Sequence, residues 1–122
     1  MPRASSATAH ELSRVGLLAS LPGQTLAKLA AKMEREEVPA GRAIVSEGED
    51  GDRFYVVLAG LLSVHQAALG ARRVLRPGDY FGEVAPAMGV PRTASVRTLT
   101  PATLASCDRA TFDEFVRPLF SA

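Results

Sequence analysis

Apolar residues near the start of the chain recur at helical spacing. Leu12, Val15 and Leu18 follow one another at three-residue intervals, which predicts a first helix from Glu11 to Leu18. The segment before it, residues 1–10, is small and polar, and we expect it to form a flexible tail. We therefore assign residues 11–122 to one folded domain.

A second apolar stripe follows the break at Pro22-Gly23. Its members, at positions i, i+3, i+4 and i+7 of a second predicted helix, are Leu26, Leu29, Ala30 and Met33. We expect this helix to end near Glu37, because Pro39 and Gly41 follow. The charged residues 34–37 then form its solvated end.

From residue 43 onward the apolar segments become short and lie about ten residues apart. Each is bounded by Gly, Pro or Asp, and the segments are 43–46, 54–59, 61–65, 72–75, 94–98 and 103–107. This rhythm is typical of a small antiparallel β sandwich or barrel. Segment 54–59 is apolar on both faces, so we expect a central strand that is covered on both sides.

The last apolar pattern is helical again. Asp108 is a suitable N-cap, and Phe112, Phe115 and Val116 share one side of a helix that Pro118 should stop. The predicted class is α+β: helices, a β-roll and a final helix.

Composition narrows the class of protein. The 122 residues fit one domain, and 47% apolar with 22% charged residues is ordinary for a globular protein. A net charge of +1 gives no broad footprint for nucleic acid. No apolar run has the length of a membrane span, and the N-terminus lacks the apolar core of a signal peptide.

Two further features concern the setting of the protein. Cys107 is the only cysteine, which excludes an internal disulfide and favours a cytoplasmic, reducing compartment. The basic residues are arginines except for Lys28 and Lys32, and alanine is abundant. This composition suggests a GC-rich bacterial genome.

The segment FGEVAPAMGVPRTASV, residues 81–96, carries the candidate chemistry. Gly82 allows a ligand to approach the backbone closely, and one helical turn after it would present N–H groups that favour an anion. Arg92 offers a planar fork that matches two phosphate oxygens. Glu83 is a suitable acceptor for a sugar hydroxyl. The set suits a ligand with one phosphate and one ribose hydroxyl.

FGEVA followed by PRTASV resembles the phosphate-binding cassette of the cyclic nucleotide-binding domain family. VPAGRAIVSEGEDGDRFYVVLAG, residues 38–60, and RPGDYFGE, residues 76–83, resemble the same family. The resemblance covers about residues 12–117 and implies an antiparallel eight-stranded, jelly-roll-like β-roll. It also implies flanking N-terminal helices, a short helix in the cassette and a C-terminal helix.

The resemblance also implies residue roles. Gly82, Ala85 and Thr93 would donate backbone N–H groups to the cyclic phosphate. Glu83 would accept from the ribose 2′-hydroxyl, supported by the amide of Val84, and Arg92 would pair with the exocyclic phosphate oxygens. The ligand would be cAMP or cGMP. Thr93 is compatible with either base, and the bacterial composition favours cAMP.

Two departures from the family pattern stand out. Pro86 replaces a bulky apolar residue and lacks an N–H, although this missing donor costs little in the first turn of a helix. The lid helix that closes over the base in the family is short or missing here. We expect ligand binding to persist and coupling to the C-terminal helix to weaken.

Three classes of function compete. The first is a non-catalytic regulatory module without cofactor or catalytic residues. We expect it to be excised from, or to regulate, a larger effector such as a channel or transporter. It could then be the cytosolic domain of a membrane protein. The second is a degenerate domain that binds proteins and no ligand, for which Pro86 is the best argument. The third is a cupin-type metalloenzyme, which two histidines in unlike settings, His10 and His65, hardly support. We expect no metal site and no direct contact with nucleic acid.

Overall fold

The structure, a computed structural model, describes residues 5–82 and 92–120, with the backbone alone for Ser5, Ser6, Ala71 and Arg72. The strands are β1 (Ser5–Ser6), β2 (Glu34–Val38), β3 (Ala43–Val45), β4 (Phe54–Ala59), β5 (Leu62–Gln66), β6 (Gly70–Leu75), β7 (Tyr80–Phe81), β8 (Ser95–Thr98) and β9 (Ala102–Cys107). The α-helices are α1 (Ala9–Ser13), α2 (Gly23–Lys32) and α3 (Arg109–Thr111). The helices within these ranges all lack the length and apolar character that a membrane span needs.

The described strands form two antiparallel sheets. One has the order β1-β2-β9-β4-β7 and the other the order β3-β8-β5-β6. Strands β2–β9 make up the predicted eight-stranded roll, and the two-residue β1 adds an edge strand next to β2. The predicted fold class is confirmed. The predicted cassette helix lies outside the described residues.

Strand β4 separates two hydrophobic cores. Phe54 and Val56 are fully buried among the helices, whereas Val57 is fully buried between the two sheets. Successive side chains of a strand point to opposite faces, so a strand that is apolar throughout is covered on both sides. Strand β4 lies between β9 and β7, as predicted for a central strand.

The first helix is shorter than predicted. Helix α1 ends at Ser13, and the chain continues in tight turns in which the N–H of Val15 bonds to the carbonyl of Leu12 and that of Leu18 to Val15. Bonds of this i→i−3 type give three residues per turn. They align Leu12, Val15 and Leu18 on one side, where all three are buried. Thr8 and Glu11 form a capping box at the start of α1, so the helix begins at Ala9, inside the segment 1–10 that we expected to be flexible.

The predicted end of the second helix is wrong. Helix α2 ends at Lys32, and residues 34–38 form β2, whose full length pairs with β9. Local helix propensity of Glu and Arg yields here to the backbone hydrogen bonds that β9 offers. Ion pairs hold the charged side chains of β2 in place. Arg35 pairs with Glu11, and Glu34 pairs with Arg53.

The C-terminal helix begins as predicted and then changes geometry. Asp108 caps it by accepting from the N–H of Thr111 at 2.9 Å. Helix α3 continues as a π-helical turn, Phe112–Val116, and a 3₁₀ turn, Arg117–Leu119. Pro118 therefore does not stop the helical backbone but lies inside the 3₁₀ turn, which continues one residue further to Leu119. The π-helical turn buries Phe112, Phe115 and Val116 against the helical core.

Candidate functional site

Gly82 follows directly on β7 and adopts a left-handed backbone with φ of +86°. A Cβ at this position would lie 2.8 Å from the carbonyl oxygen of Arg53 and 3.1 Å from Nη1 of Arg92. Both the φ angle and the close approach require glycine. The close approach seen here is to Arg53 and Arg92 of the chain itself, and the predicted approach of a ligand to the Gly82 backbone stays a prediction.

The Arg92 side chain is buried, with 7% of its surface exposed. Its Nη1 donates to the carbonyl of Gly82 at 3.2 Å, and its Nη2 donates to the carbonyl of Arg53 at 3.0 Å. Gly51 also faces the guanidinium, because a Cβ there would lie 3.1 Å from Nε. The guanidinium is held in one orientation by backbone groups on both sides.

The backbone of Arg92 is fixed as well. Its N–H donates to the carbonyl of Glu49 at 2.9 Å, and its carbonyl accepts from the N–H of Gly48 at 2.8 Å. The loop between β3 and β4 therefore binds both the main chain and the side chain of this residue. The EGEDGDR segment, residues 47–53, is the structural support of Arg92.

The charge of Arg92 is not neutralised within the described part of the chain. No carboxylate of residues 5–82 and 92–120 forms a salt bridge with it. A guanidinium has five N–H donors, and the two described bonds engage two of them. Buried charges in proteins are normally paired, so this environment favours an anionic ligand.

Tyr55 lies beside this arginine. Its ring stacks on Phe81 with centroids 4.8 Å apart, and its Cδ1 would be 3.3 Å from a Cβ at Gly82. Burial raises the pKa of the Tyr55 phenol, while the charges of Arg92 and Arg53 partly oppose the rise. The phenol is therefore neutral at physiological pH and fills the space below the Gly82 backbone.

Thr93 is exposed and is positioned through its main chain. The Nε2 of Gln66, at the end of β5, donates to the Thr93 carbonyl at 2.9 Å. Nearby, the hydroxyl of Ser95 accepts from the N–H of Glu47 at 2.8 Å. The segment that leads into β8 is thus tied to both the loop before β4 and strand β5.

The structure brings together the described members of the predicted site. Gly82 and Arg92 are in direct contact, and Thr93 follows Arg92 in the chain. Glu83, Val84 and Ala85, together with Pro86, lie outside the described residues. Their predicted roles stay predictions.

The remaining chemistry-bearing residues lie elsewhere. His10 and His65 are exposed, and no group of three or more His, Cys, Asp or Glu within the described ranges is placed to hold a metal ion. Burial raises the pKa of the Cys107 thiol to about 12, so this cysteine carries no thiolate at neutral pH. Sequence reasoning missed four residues that contact the site: Gly51, Arg53, Tyr55 and Gln66. Each contact is either packing or a hydrogen bond that involves a backbone carbonyl, and no residue pattern reveals such contacts.

Comparison with known proteins identifies the family. The model described as cyclic nucleotide-binding domain matches residues 35–118, which is more than half of the chain. The chain belongs to this family, and the resemblance drawn from residues 81–96 is confirmed. The matched range includes every described residue of the candidate site.

Individual relatives are regulatory proteins. The cAMP-dependent protein kinase regulatory subunit of Eremothecium gossypii is 36% identical over 108 residues, covering 88% of this chain and 24% of that protein. The CRP-like cAMP-activated global transcriptional regulator of Mycobacterium tuberculosis is 30% identical over 102 residues, covering 80% of this chain and 46% of that protein. The chain thus spans about a quarter to a half of these curated relatives.

A solved structure shows the same fold with a ligand bound. The structure of cAMP-bound PfPKA-R superposes with a TM-score of 0.88 at 26% identity, covering 93% of this chain and 40% of that one. That neighbour binds cAMP as a ligand, in agreement with our expectation of a nucleotide ligand without a cofactor.

The bacterial origin suggested by composition is contradicted. The kinase regulatory subunits of Eremothecium gossypii and Candida albicans, at 36% and 34% identity, both come from fungi. Arginine and alanine content reflects nucleotide bias, which is not confined to bacteria.

Proposed function

We propose that this chain is a non-catalytic regulatory module that binds a cyclic mononucleotide, with cAMP preferred to cGMP. The site comprises Gly82, Glu83, Val84, Ala85, Arg92 and Thr93. The observation that carries the proposal is the buried guanidinium of Arg92, which two neutral carbonyls orient and no described carboxylate neutralises.

A cyclic phosphate suits this arrangement because it carries one negative charge and two exocyclic oxygens. A carbonyl orients a guanidinium without cancelling its charge, so the full charge remains for the phosphate. Gly82 keeps the neighbouring backbone close to the guanidinium of Arg92, so that the backbone and Arg92 bind the same anion in this proposal. Glu83, which follows Gly82 directly, is the proposed acceptor for the ribose 2′-hydroxyl.

The preference for cAMP rests on the relatives. The fungal regulatory subunits and the Mycobacterium regulator are named for cAMP, and the structural neighbour contains it. Thr93, whose side chain is exposed beside Arg92, is the residue of this site that could contact a base. A Thr93→Ala variant should leave cAMP affinity nearly unchanged and lower any affinity for cGMP.

The proposed output of binding is regulation without catalysis. The two curated relatives are a kinase regulatory subunit and a transcriptional regulator, which supports this role. They give no support to our expectation of a channel or transporter. The lone buried Cys107 is compatible with a cytoplasmic location.

The decisive experiment is a calorimetric titration of the purified chain with cAMP and with cGMP. We expect micromolar or tighter binding of cAMP and weaker binding of cGMP. Each charge-assisted hydrogen bond contributes about 1.5–3 kcal/mol, so Arg92→Ala should weaken binding roughly ten- to a hundredfold or more. Glu83→Ala should weaken it through loss of the hydroxyl contact.

Arg35→Ala is the matched control, because Arg35 lies on β2 in ion pairs with Glu11 and Glu37. Its cAMP affinity should stay within about twofold of the parent, well below one tenfold step of 1.4 kcal/mol. A folded parent protein that gives no heat with either nucleotide would contradict the proposal and favour the interaction-module alternative that Pro86 suggested.

A further inference from the structure

Arg53 supplies one of the two carbonyls that hold the Arg92 guanidinium. This residue directly precedes β4, and its carbonyl oxygen lies 3.0 Å from Nη2 of Arg92. Its own side chain runs in another direction. The sequence alone predicted no role for Arg53, because the contact with Arg92 uses the main chain.

The side chain of Arg53 is anchored on two other strands. Its Nη2 donates to Glu34 on β2 at 2.7 Å and to the Ser106 hydroxyl on β9 at 3.0 Å. Its Nε also donates to the Ser106 hydroxyl, at 3.3 Å. Glu34, Ser106 and Tyr55 are register partners across β2, β9 and β4, so the anchor crosses the sheet in one row.

The anchor has an electrostatic consequence as well. The Glu34 carboxylate neutralises Arg53, whereas no described carboxylate neutralises Arg92. Two guanidiniums near Tyr55 thus differ in charge balance. Arg53, which is neutralised, fixes the backbone carbonyl beside Arg92. Arg92, which no described carboxylate neutralises, keeps its charge for an anion in our proposal.

We propose that Arg53 is a positioning residue for Arg92, whose anchor on Glu34 and Ser106 fixes the carbonyl that orients the guanidinium. The identity of the anion rests on the proposed function, but the orientation of Arg92 does not. Arg53 itself does not contact the ligand in this proposal.

The first test uses the ligand-free protein. Nitrogen-15 NMR of the arginine side chains reports rotation of the guanidinium, and Arg92→Met identifies the Arg92 signals by their loss. In the parent we expect two distinct Nη resonances for Arg92, because bonds to Gly82 and Arg53 restrict rotation. In Arg53→Met we expect them to average. Averaged signals in the parent, or distinct signals retained in Arg53→Met, would overturn the inference.

The second test measures cAMP affinity by calorimetry. Arg53→Met should weaken binding about three- to tenfold, and this loss should vanish in an Arg92→Met background, since coupled residues are not additive. A merely structural effect would lower affinity equally in both backgrounds, and that result would also overturn the inference. Ser106→Ala, which removes one anchor, provides a milder second variant if Arg53→Met folds poorly.

The matched control is Arg35→Met. Arg35 and Arg53 have similar side-chain exposure, 33% and 35%, and each pairs with a carboxylate, but Arg35 makes no described contact with Arg92. Its substitution should leave both the Arg92 resonances and cAMP affinity unchanged. If the parent does not bind cAMP, the proposed function fails, while the NMR result still decides the role of Arg53.

Discussion

Arg92 and Arg35 show two opposite ways in which this chain uses an arginine. Arg92 is 7% exposed, and its described side-chain acceptors are neutral carbonyls. Arg35 is 33% exposed at its side chain and bonds the carboxylates of Glu11 at 3.0 Å and Glu37 at 3.4 Å. The more deeply buried cation is therefore the one without a described counterion.

The difference separates the arginine that we propose to bind the ligand from one that is satisfied within the protein. Around Arg35 the charges satisfy each other, and hydrogen bonding to Glu11 raises the pKa of its guanidinium. Around Arg92 two backbone carbonyls orient the guanidinium, and no carboxylate of residues 5–82 and 92–120 neutralises its charge. Burial of a charge without a counterion is unfavourable, so under our proposal an anionic ligand would supply the partner that the described residues do not.

The largest expected effect is on Arg92 itself. Arg92→Met, like Arg92→Ala, should weaken cAMP binding roughly ten- to a hundredfold or more, because it removes charge-assisted hydrogen bonds to the phosphate. The free energy of unfolding without ligand should change by only about 1 kcal/mol, since no described carboxylate loses a partner and replacing buried charged groups by apolar side chains is often neutral. Calorimetry and urea unfolding measure the two quantities. A loss of several kcal/mol in stability would show that Arg92 is structural after all.

Gly82→Ala should have the next largest effect. The new Cβ would meet the Arg53 carbonyl at 2.8 Å, and the φ of +86° would strain any L side chain. We expect a loss of about 1–3 kcal/mol in unfolding free energy and weaker cAMP binding, because the Arg53 carbonyl and Arg92 must shift.

Gly41→Ala is the control for Gly82→Ala. Gly41 has a similar φ of +79°, but its Cβ would meet nothing within 4 Å. It should lose stability through backbone strain alone and bind cAMP normally. Equal cAMP affinities for the two variants would argue against a tight contact between Gly82 and the site.

The sequence predicted the parts of this comparison that depend on local patterns. Segment 54–59 became β4 with the predicted bounds, because an apolar run on both faces requires burial on both sides. The glycine and the arginine at cassette spacing predicted that Arg92 returns to the loop of Gly82, and the two residues are in direct contact. Both features rest on residue types that few other arrangements tolerate.

Non-local contacts were beyond prediction. Residues 34–37 have helical propensity, yet β9 recruits them into the sheet, and Glu11 and Arg53 provide ion pairs from distant segments. The support of Arg92 is similarly hidden. Its acceptors are main-chain carbonyls, which every residue possesses and no sequence pattern marks.

Arg35→Met should have a small effect confined to stability. Partly exposed ion pairs contribute about 0.2–1 kcal/mol, so urea unfolding should show a loss in that range. The affinity for cAMP should stay within about twofold of the parent, below one tenfold step of 1.4 kcal/mol. A larger loss of affinity would mean that β2 supports the site through more than the Glu34 anchor.

The smallest expected effect is on the pH dependence of stability. Acid should weaken the ion pair between Arg35 and Glu11 and leave the Arg92 site unchanged. Partial burial raises the pKa of Glu11, but hydrogen bonds from Arg35 and Thr8 outweigh it and hold the pKa below its usual value of 4.5. The lowered pKa stabilises the fold fully above that value, and this stabilisation is lost as the pH falls through the folded-state pKa. Glu11→Gln keeps a side chain suited to the capping box with Thr8 but removes the charge. The difference in unfolding free energy between parent and variant should therefore narrow between about pH 6 and pH 3, values on either side of the usual glutamate pKa of 4.5. Arginine stays protonated over this range, so Glu11→Gln should bind cAMP like the parent at pH 6. A stability difference that does not change with pH would show that Glu11 acts through packing and capping, without its charge.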